Sequence, residues 1–183
     1  MPMIFALAAA ADASMADAQL ARMATLYEEV CLKSFPDDNA VATLMQARNA
    51  RELSADEVRI TMRNDPARGW QLPNEGTTVW IEFPPYHACS VRWSSPEIGN
   101  LAPYRAIADR YESSKSGFAA IRPMDGNQGD IHIHAIGETR ALAGGAAESL
   151  FIFSQYITNP ARRAAGETGY SVRFVHQFAP PPR

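Results

Sequence analysis

The sequence predicts an α+β domain, with N-terminal helices and a single antiparallel sheet of about five strands carrying helices on one face. Three observations carry this reading. Apolar residues recur at three- and four-residue steps through the first third of the chain, which is helical spacing. From Thr77 the period changes to two, the spacing of a half-buried strand. After one more helical segment, three alternating stretches close the chain, separated first by Gly144-Gly145 and then by Asn159-Pro160 and Gly166.

The opening residues MIFALAAA are uncharged and are followed by Ala11-Asp12-Ala13, a small-x-small pattern. Residues 1–13 therefore read as a signal peptide and residues 14–183 as one domain. The basic leader of a secretory signal is missing, as it would be if the true start lay upstream. The apolar run is far shorter than the roughly 20 residues a membrane span needs, and no later stretch is long enough either.

Residues 16–33 form the first expected helix, with Leu20, Met23, Leu26, Tyr27, Val30 and Cys31 on its apolar face. Asp37 or Asp38 caps a second helix reaching about Ala50. Ser54-Ala55-Asp56-Glu57 is a capping box and opens a short third helix that Asp65-Pro66 ends. Residues 77–83 and 87–93 make a hairpin around Pro84-Pro85-Tyr86. A fourth helix runs from about Leu101 to Glu112, and 117–123 is extended. The segment 125–130 reads as a turn-rich loop. Strands follow at 131–139, 149–158 and 170–178, before an extended proline tail. This β-β-α-β-β-β order is the layout of PAS and profilin domains, whose spatial order 2-1-5-4-3 would put the hairpin at one edge.

The 17 basic and 20 acidic residues give a net charge of −3, with no basic stripe and only two lysines. That excludes a phosphate-tracking surface for nucleic acid. Cys31 and Cys89 allow one bridge, which an oxidising compartment would close; in a cytosolic core they would be buried free thiols. A loop of 58 residues would constrain the unfolded chain by about 4 kcal/mol. No CxxC motif supports dithiol catalysis.

His132 and His134 form an HxH pair that shares one strand face and could begin a metal site, but a third ligand is required. On the expected order His87 would lie roughly 19 Å away, four strand spacings off. The plainer arrangement turns Ile131 and Ile133 to the core and leaves both histidines on a polar face. No nucleophile elbow, phosphate loop or S-x-x-K spacing is present. No catalytic residue, metal or cofactor is therefore assigned, and the reading leans away from an enzyme. The sheet face opposite the helices is the most suggestive surface. It would carry Trp80, Ser90, Arg92, His132, His134, Phe151 or Ile152, and Arg173, a set suited to a protein partner or an anionic ligand.

Three segments, Val30–Asp37, Asp65–Trp70 and Pro84–Arg92, resemble small exported proteins of unassigned function from Gram-negative bacteria. The resemblance covers roughly the first half of the mature chain. It implies a periplasmic home and the two cysteines as a framework, and it transfers no activity. Together these readings describe a periplasmic or secreted binding or accessory protein with one disulfide and a protein or small-ligand partner in the envelope. The alternatives are a metal-binding protein or enzyme built on the His pair, and a cytosolic PAS-like ligand sensor.

Overall fold

A disulfide joins Cys31 to Cys89 with their α-carbons 5.4 Å apart, well within the range such a bond spans. The computed structural model describes residues 4–63, 65–73, 76–94, 99–167 and 169–181, with backbone alone for residues 4–14. Met1–Met3 of the expected signal peptide and Pro182-Arg183 of the tail lie outside the described residues.

Helix α1 (Ile4–Tyr27) runs unbroken through the expected cleavage point. Its described side chains meet the core from Ala16, which is 4% exposed. The chain then widens into a π-helical segment, Glu28–Ser34, where the expected α-helix would have continued. The Ser34 hydroxyl donates to the Glu29 carbonyl and the Phe35 N–H to Val30, both five residues back. This wider turn lets Val30, Cys31 and Leu32 all be buried in succession, which a 3.6-residue turn would not. It also aims Cys31 at the sheet. Asp37 caps α2 (Asp38–Ala47) by accepting from the Asn39 and Ala40 N–H groups, and the helix ends before Asn49, whose φ is 54°. The two-residue β1 (Arg51–Glu52) leads into α3 (Ala55–Met62), where the capping box of Ser54 and Glu57 is formed.

Strands β2 (Ala67–Gln71), β3 (Thr77–Glu82) and β4 (His87–Ser94) follow, then α4 (Ala102–Ser113). The chain continues through β5 (Ala119–Ala120), β6 (Met124–Gln128), β7 (Ile131–Ala141) and β8 (Ala147–Ile157). A short α5 (Pro160–Ala164) precedes β9 (Ser171–Ala179). All nine strands join one antiparallel sheet in the order β1-β2-β3-β4-β9-β8-β7-β5, with β6 also on β7.

The α+β class stands, while several finer expectations do not. The sheet has nine strands, not five. Among the five strong strands the order is 1-2-5-4-3 instead of 2-1-5-4-3, so β4 is central and pairs with β9. Ala88 to Val91 are consecutively buried, as befits a strand covered on both sides. The helices do not all lie on one face. The helices α1 and α4 cover one side, where Leu20, Tyr27, Tyr104, Val79, Val91 and Phe174 share the core. The Tyr27 hydroxyl donates to the Val175 carbonyl at 3.0 Å, and Tyr27, Tyr104 and Phe174 pack ring to ring. Helix α3 lies on the other side, because the β1–α3 link carries Leu53 over β2. A Cβ on Gly69 would come within 2.8 Å of Leu53 and of the Trp80 indole, so only glycine admits this close approach.

Candidate recognition groove

Strand register decides which side chains meet. On the face away from α1 and α4, one row crosses the sheet as Thr78, Arg92, Arg173, Phe153, Ala135 and Met124. The adjacent row is Trp80, Ser90, Val175, Phe151 and Gly137. With α3 as one wall, part of this face forms an open groove of about 1260 Å³; Thr78, Trp80, Arg92 and Arg173 line it and it continues over Gln155, Ile133 and Ile131, while Phe151, Phe153, Ala135 and Met124 lie on the same face outside its lining.

Arg92 and Arg173 are directly opposed across β4 and β9. Arg92 donates to Ser90 at 3.1 Å and to the Glu82 carboxylate at 2.9 Å, and it stacks on Trp80 at 5.0 Å. Burial, and then the charge of Arg173, lower its pKa to about 10, against the pull of Glu82. Arg173 stacks on Phe153 at 5.0 Å, and burial lowers its pKa too. Among the described residues no carboxylate hydrogen-bonds Arg173. Two half-buried guanidiniums thus share one acid, and like charges directly opposed in a sheet are unfavourable.

Of the residues expected on this surface, the structure brings together Trp80, Ser90, Arg92 and Arg173, and the phenylalanine on this face is Phe151, since Ile152 is core. His132 and His134 are not with them. They pair with Tyr156 and Ser154 on the opposite face of β7, while Ile131 and Ile133 face the groove instead of the core. Strand β7 extends beyond the cover of α4, so its apolar residues are free to take the other side. His132 donates or accepts at both ring nitrogens, to Asp125 at 2.7 Å and Asn127 at 2.9 Å, and stacks on Tyr156. Neither nitrogen is left for a metal. His134 lies 3.6 Å from the same Asp125 oxygen. No group of three His, Cys, Asp or Glu side chains among the described residues is arranged to hold a metal ion. His87 sits elsewhere, 2.9 Å from Asp38 and edge-on to Phe35.

The sequence reading also missed a buried charged cluster behind the sheet. Glu148 and His176 are each 1% exposed. Glu148 accepts from Tyr111 at 2.6 Å, from Arg140 at 2.6 Å and from His176 at 2.9 Å. Burial pushes its pKa up, but the hydrogen bonds from His176, Tyr111 and Arg140 outweigh that and hold it at about 2. The other His176 nitrogen faces the Cys31 carbonyl at 2.6 Å and must donate to it. With both nitrogens committed and no solvent access, His176 ties the disulfide to β8 and β9 and offers no free base. Nearby, Glu112 and Glu138 each bury an oxygen without a hydrogen-bond partner among the described residues. Burial, then the charge of Glu138, raise the Glu112 pKa to about 7.

No helix among the described residues is long and apolar enough to cross a membrane. Comparisons with protein-family models, curated proteins and solved structures give no significant match.

Proposed function

We propose that the chain is an exported binding or accessory protein, held by one disulfide, whose groove over β3, β4 and β9 recognises an anionic ligand. The observation that carries this is the opposed Arg92–Arg173 pair, with Glu82 as the one carboxylate among the described residues that hydrogen-bonds it. Placing two cations on adjacent strands in a half-buried cleft is costly unless an anion completes the site. The lining fits: Arg51, Arg63, Arg92 and Arg173 face it against Glu57. A concave site with convergent polar groups over apolar walls is also the usual form of a ligand site. Export rests on the Cys31–Cys89 bridge, which oxidising compartments favour, and on the resemblance of the first half to exported Gram-negative proteins.

The test is thermal unfolding of the intact protein with and without millimolar inorganic phosphate, sulfate or acetate at constant ionic strength. At least one anion should raise Tm in the wild type and not in Arg173→Gln. Without anion, Arg173→Gln should be as stable as the wild type or more so, because it relieves the like-charge pair. Equal anion effects on both proteins would remove the arginine pair as the site. Thiol trapping in intact cells tests the compartment: Cys31 and Cys89 should resist alkylation until a reductant is added.

A further inference from the structure

We infer that the ligand is a single amphiphilic anion, a carboxylate or phosphate head with a hydrocarbon body; this rests on the groove being an anion site. The row that contains the two arginines changes character at β9. Beyond Arg173 it continues as Phe153, Ala135 and Met124, and beside that row Ile133 and then Ile131 line the groove itself. Met124 is 43% exposed. From β9 to β6 is three strand spacings, about 14 Å, so this stretch of the face is long enough for an extended alkyl chain. Across the groove, Ile60 on α3 is 70% exposed and adds a second apolar wall.

Charge sets the orientation. Arg51 is held by Glu57 through two bonds of 2.9 Å and Arg92 by Glu82, while Arg173 has the Phe153 ring and no acid hydrogen-bonded to it. The head therefore belongs at Arg173, and the body leads away from it toward β7 and β6, where the row holds no charge. A purely polar anion would leave Phe153, Ile133 and Met124 wet. A purely apolar ligand would leave the guanidinium of Arg173 unpaired beneath it.

The experiment is calorimetric titration of the full, disulfide-bonded chain with inorganic phosphate, butyl phosphate, decyl phosphate below its micelle concentration, and decanol. Complete burial of a methylene gives about fourfold in affinity, and a groove open on one side about half that factor, twofold. Decyl phosphate should therefore bind tens of fold more tightly than butyl phosphate. Arg173→Gln should weaken all the phosphates, and Ile133→Ser should flatten the chain-length dependence while leaving inorganic phosphate unchanged. Phosphate binding that ignores chain length overturns the amphiphile and leaves the anion site standing. Failure of every anion overturns both. Decanol binding as tightly as decyl phosphate overturns the head assignment. Binding to equimolar phosphatidylcholine–phosphatidylglycerol vesicles but to no monomeric alkyl phosphate overturns the single-molecule ligand in favour of a lipid surface.

Discussion

Stability should peak at about pH 4.5–5 and fall on both sides, with a different carboxyl setting each limb. Glu148 titrates at about 2 in the folded chain against an ordinary 4.5. Its contribution is complete above about pH 4.5 and is lost as pH falls through 2. At 1.36 kcal/mol per pH unit, that displacement is worth about 3 kcal/mol. Glu112 works in the opposite sense, since its folded value is raised to about 7. Its contribution is complete below about pH 4.5 and is lost as pH rises through 7. Partial solvent access reduces its size to roughly 1–2 kcal/mol. Urea unfolding followed by tryptophan fluorescence from pH 3 to 9 measures both limbs. Glu112→Gln should remove the loss between about pH 4.5 and 7. Glu148→Gln should flatten the acid limb and cost about 3–5 kcal/mol at pH 6, because Arg140 and His176 are left buried beside a neutral group. The reasoning fails if Glu148→Gln unfolds at the wild-type urea midpoint, or if the alkaline loss persists in Glu112→Gln.

Three further outcomes follow from the packing. A Cys31→Ala/Cys89→Ala variant should lose about 4 kcal/mol on the chain-entropy model, read as a lower urea midpoint that the wild type matches in reductant. Tyr27→Phe should cost about 1–3 kcal/mol, since the buried hydrogen bond from its hydroxyl to the Val175 carbonyl is lost; an unchanged midpoint would mean that carbonyl finds another partner. Gly137→Ala should cost about 1–3 kcal/mol or more, because a Cβ there meets the Leu150 carbonyl oxygen at 2.3 Å and pushes β7 from β8, which amide exchange across that pair would reveal.

Much of the local structure was legible. The alternation of Val79 and Ile81 with Thr78 and Trp80, the Ser54–Glu57 box and the pairing of Cys31 with Cys89 all appear as the residues suggested. The misses share a physical origin in tertiary contacts. Strand β6, read as a loop, is MDGNQ, which has little strand propensity and is extended because β7 supplies its hydrogen bonds. Strand order depends on which hairpin strand the last strand reaches, and periodicity does not encode that. The small residues Ala88 and Ser90 between Cys89 and Val91 were the available sign that β4 lies at the centre, covered on both sides. In the site, Trp80, Arg92 and Arg173 share one face as their strand parity suggests, but the direct opposition of Arg92 and Arg173 follows from β9 pairing with β4, which the expected order did not contain. His132 and His134 were not, because apolar residues on β7 were taken to lie beneath helices that do not reach that far. Phe153 and the α3 wall needed the register of β8 and the path of the β1–α3 link.

The bond between Cys31 and Cys89 also makes the chain a closed ring with two tails. Inside the ring lie α2, α3 and β1 to β3; β5 to β9 belong to the C-terminal tail. A single protease cut between the two cysteines would therefore leave both pieces on one covalent molecule, running as one band on a gel until the sulfurs are reduced. A cut between residues 89 and 173 would release a fragment carrying Arg173, and it separates Arg92 from Arg173 when it falls beyond Arg92. Digestion mapped with and without reductant thus reports separately on the α3 side of the cleft and on the β7–β9 side.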